Sequence, residues 1–572
     1  MTVRRALAAL ATLLTLGGSS CSALPGRSSA SPGASPTTGA ASPSASSSSL
    51  PPSPAPALAT TFRYGAREPA AVLPGDVMDP DGLVIADALF DSLTVWEADG
   101  AVGDAAAITW VADRESRVWT FELRPGAVWS GDARTPVTAA DFVFAWTRAV
   151  AEDRTGGYHL DEVEGYDELV AGTTTTLAGV TALDERTLEV RLRSPFADFP
   201  SVVAHPALGP LAQARYLADP ESYARTPVGN GPFVTQTWEP GGFLRATRSP
   251  AWRNGPRPAL DEVVFQFGEA EDAFIAFQQD RLDYAPLPTG ARAGALERYG
   301  RAADGYRGPG VLDGPAPQLY FLGMDVASAP FDRVEVRRAL SLALDREVIA
   351  AAVREGNADP ALGVVPRVIP GARPRPCDYC RYDPDTAREL FAEAGVTQVE
   401  LWFNREGGHE QIATLVADQL AEVGVRLRSR TPAAPGDGAS ALEAYLEQLR
   451  DGTTPLFRFG WTMDYPLLDD ALRPLFASAL ANTPGAANYG PYIDPEVDAL
   501  LAQARGTRNA VQRQRLYQAA EDAAVDGGQA IIPLLHFHHA AVVGERFEGF
   551  VLSPFGLPNL SAVRPAPIPG ET

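Results

Sequence analysis

The chain has 572 residues, 45% of them hydrophobic and 21% charged, enough for two or three domains with real cores, since single cores stop growing near ~250–300 residues. Its formal net charge of −23 argues against nucleic acid as a partner, because that binding needs clustered positive charge. All 48 basic residues are arginine, which removes P-loop lysines, Schiff-base lysines and Ser-Lys dyads in one step.

At the N-terminus, Arg4 and Arg5 precede an apolar run over residues 6–16 and then Gly17-Gly18-Ser19-Ser20-Cys21. An apolar run this short cannot cross a ~30 Å hydrocarbon core as a helix, so it reads as an export signal over residues 1–21. The pattern resembles a bacterial lipoprotein signal with Cys21 as the lipidated residue, departing from it at Gly18, where leucine is usual; simple secretion is the alternative. Residues 22–60 are almost entirely Ser, Pro, Ala, Gly and Thr and cannot offset their ordering entropy by burial, so they read as a disordered tether. The body would then stand outside the cell.

The folded part begins with a strand near residues 61–65, followed by a helix over 79–93 with Leu83, Ala86, Leu89 and Phe90 at helical spacing. Residues 118–124 read as a strand ending at Pro125-Gly126, and Trp129-Ser130-Gly131-Asp132 as a turn. Thr138 and Asp141 form a capping-box variant opening a helix that carries Phe142, Ala145, Trp146 and Ala149 on one face. Residues 187–192 alternate as a strand. Gly229-Asn230-Gly231-Pro232-Phe233 is a glycine-rich turn without the Gly-Lys-Ser/Thr of a phosphate loop. Amphipathic helices follow at 334–344, 383–394 and 410–423, the last two closed by Gly395 and Gly424, with a strand at 425–427. The second half is therefore α/β.

Two short segments carry chemistry. Cys377 and Cys380 in an exported chain suit a small-loop disulfide; a zinc site needs two further ligands at matching spacing, and a thioredoxin-type motif needs a βαβ context, neither of which is visible. Residues 456–459 read as a strand leading into a loop over Gly460-Trp461-Thr462-Met463-Asp464-Tyr465-Pro466. A cation, Arg458, and an anion, Asp464, flank aromatic rings within ten residues, which suits a zwitterion; the plainer reading is a core strand with Trp461 packed and Asp464 starting a turn.

These segments, in this order, resemble the extracellular solute-binding proteins of the peptide/nickel group, family 5, and most closely the bacterial oligopeptide-binding proteins of ABC importers. The resemblance rests on Trp119-Thr120-Phe121-Glu122-Leu123-Arg124 with Trp129-Ser130-Gly131-Asp132, on residues 136–143, on Gly229 to Phe233, on Val336-Arg337-Arg338-Ala339-Leu340 with Leu344-Asp345-Arg346, on residues 387–395 and on Gly460 to Tyr465. It implies an α/β, two-lobed periplasmic-binding-protein-like fold of type II, cluster C, with an extra inserted α+β domain. Lobe I would comprise 61–83, 218–318 and 540–572, the accessory domain 84–217 and lobe II 319–539, with the ligand between lobes. By the same resemblance Asp464 would accept a peptide's α-ammonium, and Arg354, His409 and Arg458 its carboxylate at staggered depths. Trp461, Tyr465, Tyr158, Tyr320 and Phe321 would line the cleft.

The chain departs from that pattern at Tyr320-Phe321-Leu322-Gly323, where oligopeptide binders carry three tyrosines and a glutamate, and at Leu73-Pro74-Gly75-Asp76. Asp469 and Asp470 also replace the usual residues after the loop. The implied function is a non-enzymatic, monomeric, lipid-anchored receptor on the outer face of the bacterial cell membrane. It would deliver short peptides to an ABC permease without a cofactor or resident metal. A nickel complex, an oligosaccharide or an opine are the alternative ligands, and peptide sensing the alternative role. Hydrolase motifs are absent: there is no Gly-x-Ser-x-Gly, and His409-Glu410-Gln411-Ile412-Ala413 lacks the second histidine of a zincin. His536 and His538 share a strand face, but two imidazoles without a carboxylate make a poor metal site.

Overall fold

The computed structural model describes residues 60–567 apart from 98, 99, 131, 406, 433–440, 484 and 485, and omits the side chains of 132–134, 354 and 355. The export signal, Cys21 and residues 22–59 of the tether lie outside the described residues. Two large mixed sheets organise the rest. A seven-stranded sheet runs in the order Phe233–Glu239, Phe243–Arg248, Glu262–Phe267, Thr61–Ala66, Tyr284–Pro286, Ala541–Val543, Gly310–Leu312. A six-stranded sheet runs Ala358–Pro360, Ile531–His538, Pro315–Met324, Leu456–Thr462, Gln398–Trp402, Arg426–Arg430.

The chain passes from the first sheet to the second between Leu312 and Pro315 and returns between His538 and Ala541. These two crossings lie side by side, since the His539 amide donates to the Gly314 carbonyl at 2.8 Å. Between the first strand of the seven-stranded sheet and its next one, the chain builds a separate four-stranded sheet, Ala107–Ala112, Val118–Leu123, Thr187–Arg191 and Val180–Ala182.

Local signals explain most element ends. The helix Pro80–Leu89 starts where the Asp79 carboxylate accepts the Gly82 amide at 2.7 Å, and Ala139–Ala151 starts where the Thr138 amide donates to Asp141 at 2.8 Å; both satisfy amide donors that the first helical turn leaves open. Pro384–Ala394 ends at Gly395, whose φ of +67° is the left-handed cap that glycine adopts without strain. The segment read as a turn at Trp129 instead pairs Val128–Trp129 with Asp132–Pro136 as a short hairpin. The strand expected at 425–427 is longer, Arg426–Arg430, because it pairs in parallel with Gln398–Trp402 along its whole length.

The six-stranded sheet is covered on both faces, and its side-chain alternation decides which residues share a face. In Pro315–Met324, Leu319 and Phe321 enter one core cluster, and Tyr320, Leu322 and Met324 enter another. In the neighbouring strand Phe457, Phe459 and Trp461 join the first cluster, so Arg458 between them turns to the face that holds Tyr320. Cys377 and Cys380 are disulfide-bonded and buried against the first cluster.

Candidate functional site

The expected site residues separate into two groups and a remainder. The first group gathers on the loop after Leu456–Thr462. Asp464 is half-buried, and its Oδ2 accepts the Tyr158 hydroxyl at 2.6 Å. Tyr158 belongs to the 3-10 turn Thr155–Leu160, 306 residues away in sequence. Its neighbour His159 meets the Tyr465 hydroxyl through Nδ1 at 2.7 Å. The His159 ring also lies between those of Tyr158 and His205, tilted to each, with centroids 4.0 and 4.2 Å apart.

The loop itself is fixed by Asp470. Its carboxylate accepts the backbone amides of Asp464 and Tyr465, and its carbonyl accepts the Trp461 indole N–H at 2.9 Å. Two carboxylates are thereby held close together in a poorly solvated place. Burial pushes the Asp464 carboxyl up to about 6, partly countered by the Tyr158 hydroxyl, and burial and then the Asp464 charge push Asp470 well above the usual carboxylate range. Tyr158 keeps its proton, since burial and Asp464 both raise its pKa. Burial, reinforced by His205, holds His159 neutral.

The second group lies on one face of the six-stranded sheet. Arg458 is buried rather than solvated, with 1% exposure; it donates to Asn404 Oδ1, and its guanidinium lies over the Tyr445 ring at 5.3 Å. His409 begins the helix His409–Glu422 and packs its ring 5.6 Å from Tyr320. Tyr320 and Arg458 interact electrostatically, the cation tempering the strong upward push that burial gives the phenol.

Phe321 and Trp461 lie apart from this second group. Both alternate onto the opposite sheet face and are buried in its core, Phe321 edge-on to Phe459 and Trp461 bonded to the Asp470 carbonyl. The strand period that sends Arg458 and Tyr320 one way sends these two the other. Arg354 sits in the 3-10 turn Val353–Gly356, and its side chain lies outside the described residues.

The histidine run near the second crossing is engaged elsewhere. His538 Nε2 lies 3.0 Å from Asp359, which also pairs with Arg367 at 3.0 Å. Among the described residues no group of three or more His, Cys, Asp or Glu is placed to hold a metal ion.

Residues 101–483 match the model for bacterial extracellular solute-binding proteins, family 5, middle part. The chain belongs to this family. As a family 5 solute-binding protein it is 26% identical over 480 residues to the periplasmic oligopeptide-binding protein OppA of Escherichia coli K12, covering 81% of this chain and 84% of OppA. It is 30% identical over 367 residues to the glutathione-binding protein GsiB of Escherichia coli O1:K1, covering 60% of this chain and 66% of GsiB. Among solved structures, the unliganded open form of the periplasmic murein tripeptide-binding protein MppA superimposes with a TM-score of 0.75 at 22% identity, covering 88% of this chain and 97% of that one. HbpA2 from Haemophilus parasuis gives 0.75 at 23% identity, covering 89% and 100%. The fold of this family 5 protein is that of two-lobed periplasmic binding proteins.

Sequence reading overlooked His159 and gave Asp470 no role. His159 is adjacent to Tyr158 on a turn that only the folded chain brings to Asp464. Asp470 was visible as a departure from the family pattern, and its spacing of six residues from Asp464 was the available signal.

Proposed function

We propose that the chain is a lipid-anchored receptor that captures short peptides and delivers them to an ABC permease, catalysing nothing itself. The observation that carries this reading is the state of Asp464. The buried carboxylates Asp283, Asp313, Asp469 and Glu521 each face an arginine, and buried Asp470 takes two backbone amides. Asp464 has the Tyr158 hydroxyl but, among the described residues, no cation within ion-pair distance. A poorly solvated carboxylate held in fixed geometry favours an incoming ammonium, which restores the missing charge and hydrogen bonds. Peptides carry that group at their N-terminus.

The opposite terminus is assigned to Arg458, His409 and Arg354, with Tyr320, Tyr158 and Tyr465 lining the cleft. The expected division gives lobe I residues 61–83, 218–318 and 540–572, lobe II 319–539 and the accessory domain 84–217; because the strand Pro315–Met324 belongs to the six-stranded sheet, we assign residues 315–318 to lobe II. The paired chain crossings near Gly314 and His539 support a hinge there. The signal over residues 1–21 directs export and lipidated Cys21 supplies the membrane anchor on the extracytoplasmic face; no helix among the described residues is long and apolar enough to cross a membrane. The protein acts as a monomer.

Native mass spectrometry of the purified protein tests the ligand class. Co-purified peptides of about three to five residues are the expected result; a bound oligosaccharide or metal chelate would replace the peptide assignment.

A further inference from the structure

Four residues beyond Tyr158, the same segment makes a second connection, through ion pairs, to the second lobe. Glu162 Oε1 receives Arg473 at 2.8 Å and Arg505 at 3.1 Å, while its Oε2 accepts the Ser194 hydroxyl at 2.7 Å. Arg505 continues to Asp469 at 2.7 Å, and Asp469 accepts the Tyr517 hydroxyl at 3.1 Å. The side chains of Glu162, Arg505 and Asp469 are 13%, 7% and 9% exposed. Arg505 also lies over the Phe196 ring at 4.0 Å, and Arg513 pairs with Asp198 at 2.6 Å.

The position of this network is what gives it meaning. Glu162 follows the turn that presents Tyr158 and His159. Arg473 lies on the helix Leu468–Phe476, whose Asp470 holds the Asp464 loop. One carboxylate and two guanidiniums therefore tie the element bearing Tyr158 to the element bearing Asp464. Beside these ion pairs the Ala197 amide donates to the Arg505 carbonyl at 2.8 Å and Tyr465 and Leu467 pack against the apolar cluster of the inserted segment; the ion pairs are strong only when their geometry is complete, and their charged groups can be solvated again when the contact parts. Burial works against the charged form of Glu162, yet Arg505 and Arg473 outweigh it and hold the carboxyl below the usual glutamate range.

We infer that Glu162, Arg473 and Arg505 are positioning residues of the Asp464 site, forming a reversible clasp between the inserted segment and the second lobe. They need not touch the ligand; they set how long the site stays assembled. The assignment rests on the Asp464 site proposed above.

The test compares Glu162→Gln, Arg473→Gln and the double variant in small-angle scattering, with and without tri-alanine, and in stopped-flow dissociation of tri-alanine. Each single variant is expected to enlarge the radius of gyration and to speed dissociation about tenfold or more, and the double variant to be no worse than the more affected single one. Unchanged scattering and dissociation in both single variants, or effects that simply multiply in the double variant, would overturn the clasp. Arg473, which is 25% exposed, carries the test if Glu162→Gln does not fold. Failure of the unmodified protein to bind tri-alanine would count against the peptide reading alone, and scattering would still decide the clasp.

Discussion

Asp464→Ala is expected to weaken binding of tri-alanine at least about tenfold in titration calorimetry, since a hydrogen bond to a charged group contributes ~1.5–3 kcal/mol net. Asp464→Asn separates charge from shape, because the amide oxygen can still accept the Tyr158 hydroxyl. It should bind tri-alanine almost as poorly as the alanine variant. In ligand-free protein the same substitution should raise stability, because burial lifts the Asp464 carboxyl to about 6, above the ~3.9 of an unfolded aspartate. The folded state then holds the extra proton between those values, so ionised Asp464 costs stability at neutral pH, and that cost disappears as pH falls through about 6 toward 4. A gain on the order of 1–2 kcal/mol in urea unfolding at pH 7 is expected from the asparagine variant. Higher stability with lower affinity marks a group kept for binding.

The pH dependence of binding follows from the same proton. An ammonium ligand needs both the carboxylate and its own proton, so affinity should be flat between about pH 6 and the ~8 of a peptide α-amino group, decline about tenfold per unit below that window and fall again above it. Unaltered tri-alanine affinity in both variants would remove Asp464 from the ammonium role. An acid-side decline retained in Asp464→Asn would move the titration to another group, with Asp470 the nearest candidate.

Local chemistry was legible in the sequence, and long-range juxtaposition was not. The helix cap at Gly395 and the capping carboxylate of Asp141 follow from residues within a few positions of one another, whereas Asp383, read as the first helical residue, is the N-cap that accepts the Thr386 amide. The alternation over Phe457, Arg458 and Phe459 was also legible, and with it the fact that Arg458 opposes its neighbours. What the alternation could not say is which face looks toward a ligand. That depends on pairing, in which Phe321 stands opposite Phe459 and Leu319 opposite Trp461, and it sends Phe321 and Trp461 into the core. Tyr158 and Asp464 came within reach of the sequence only through resemblance, because nothing local links residues 306 positions apart. The Glu162 clasp had no such guide. His536 and His538 were read correctly as sharing a face, but Asp359 and Arg367 come from other segments, and a guanidinium beside that carboxylate disfavours a bound cation.

Gly229→Ala is expected to be far more damaging than its chemistry suggests. A Cβ at residue 229 would stand 1.7 Å from the Leu89 carbonyl oxygen, and one at residue 231 would stand 2.6 Å from the Leu89 carbonyl carbon. These are backbone atoms at the end of the helix Pro80–Leu89, so no side chain can swing aside. The approach is held from both sides: the Gly231 amide donates to Leu89 at 2.9 Å, and the Gly229 carbonyl accepts the Ser130 amide at 2.8 Å. Asn230 between them exchanges two hydrogen bonds with the Asp91 backbone, at 3.0 and 2.9 Å. The glycines of Gly229-Asn230-Gly231 are thus required for closeness, and the asparagine imitates a strand partner at the junction of the inserted segment. Opening the gap by more than an ångström would break these bonds together, a loss of about 3 kcal/mol or more in urea unfolding. Gly294→Ala is the control. It lies within the helix Arg292–Tyr299 with nothing within 4 Å of the added carbon, and should gain about 0.5–1 kcal/mol from reduced backbone entropy. Equal effects at the two positions would show that glycine 229 serves flexibility rather than the approach of Leu89.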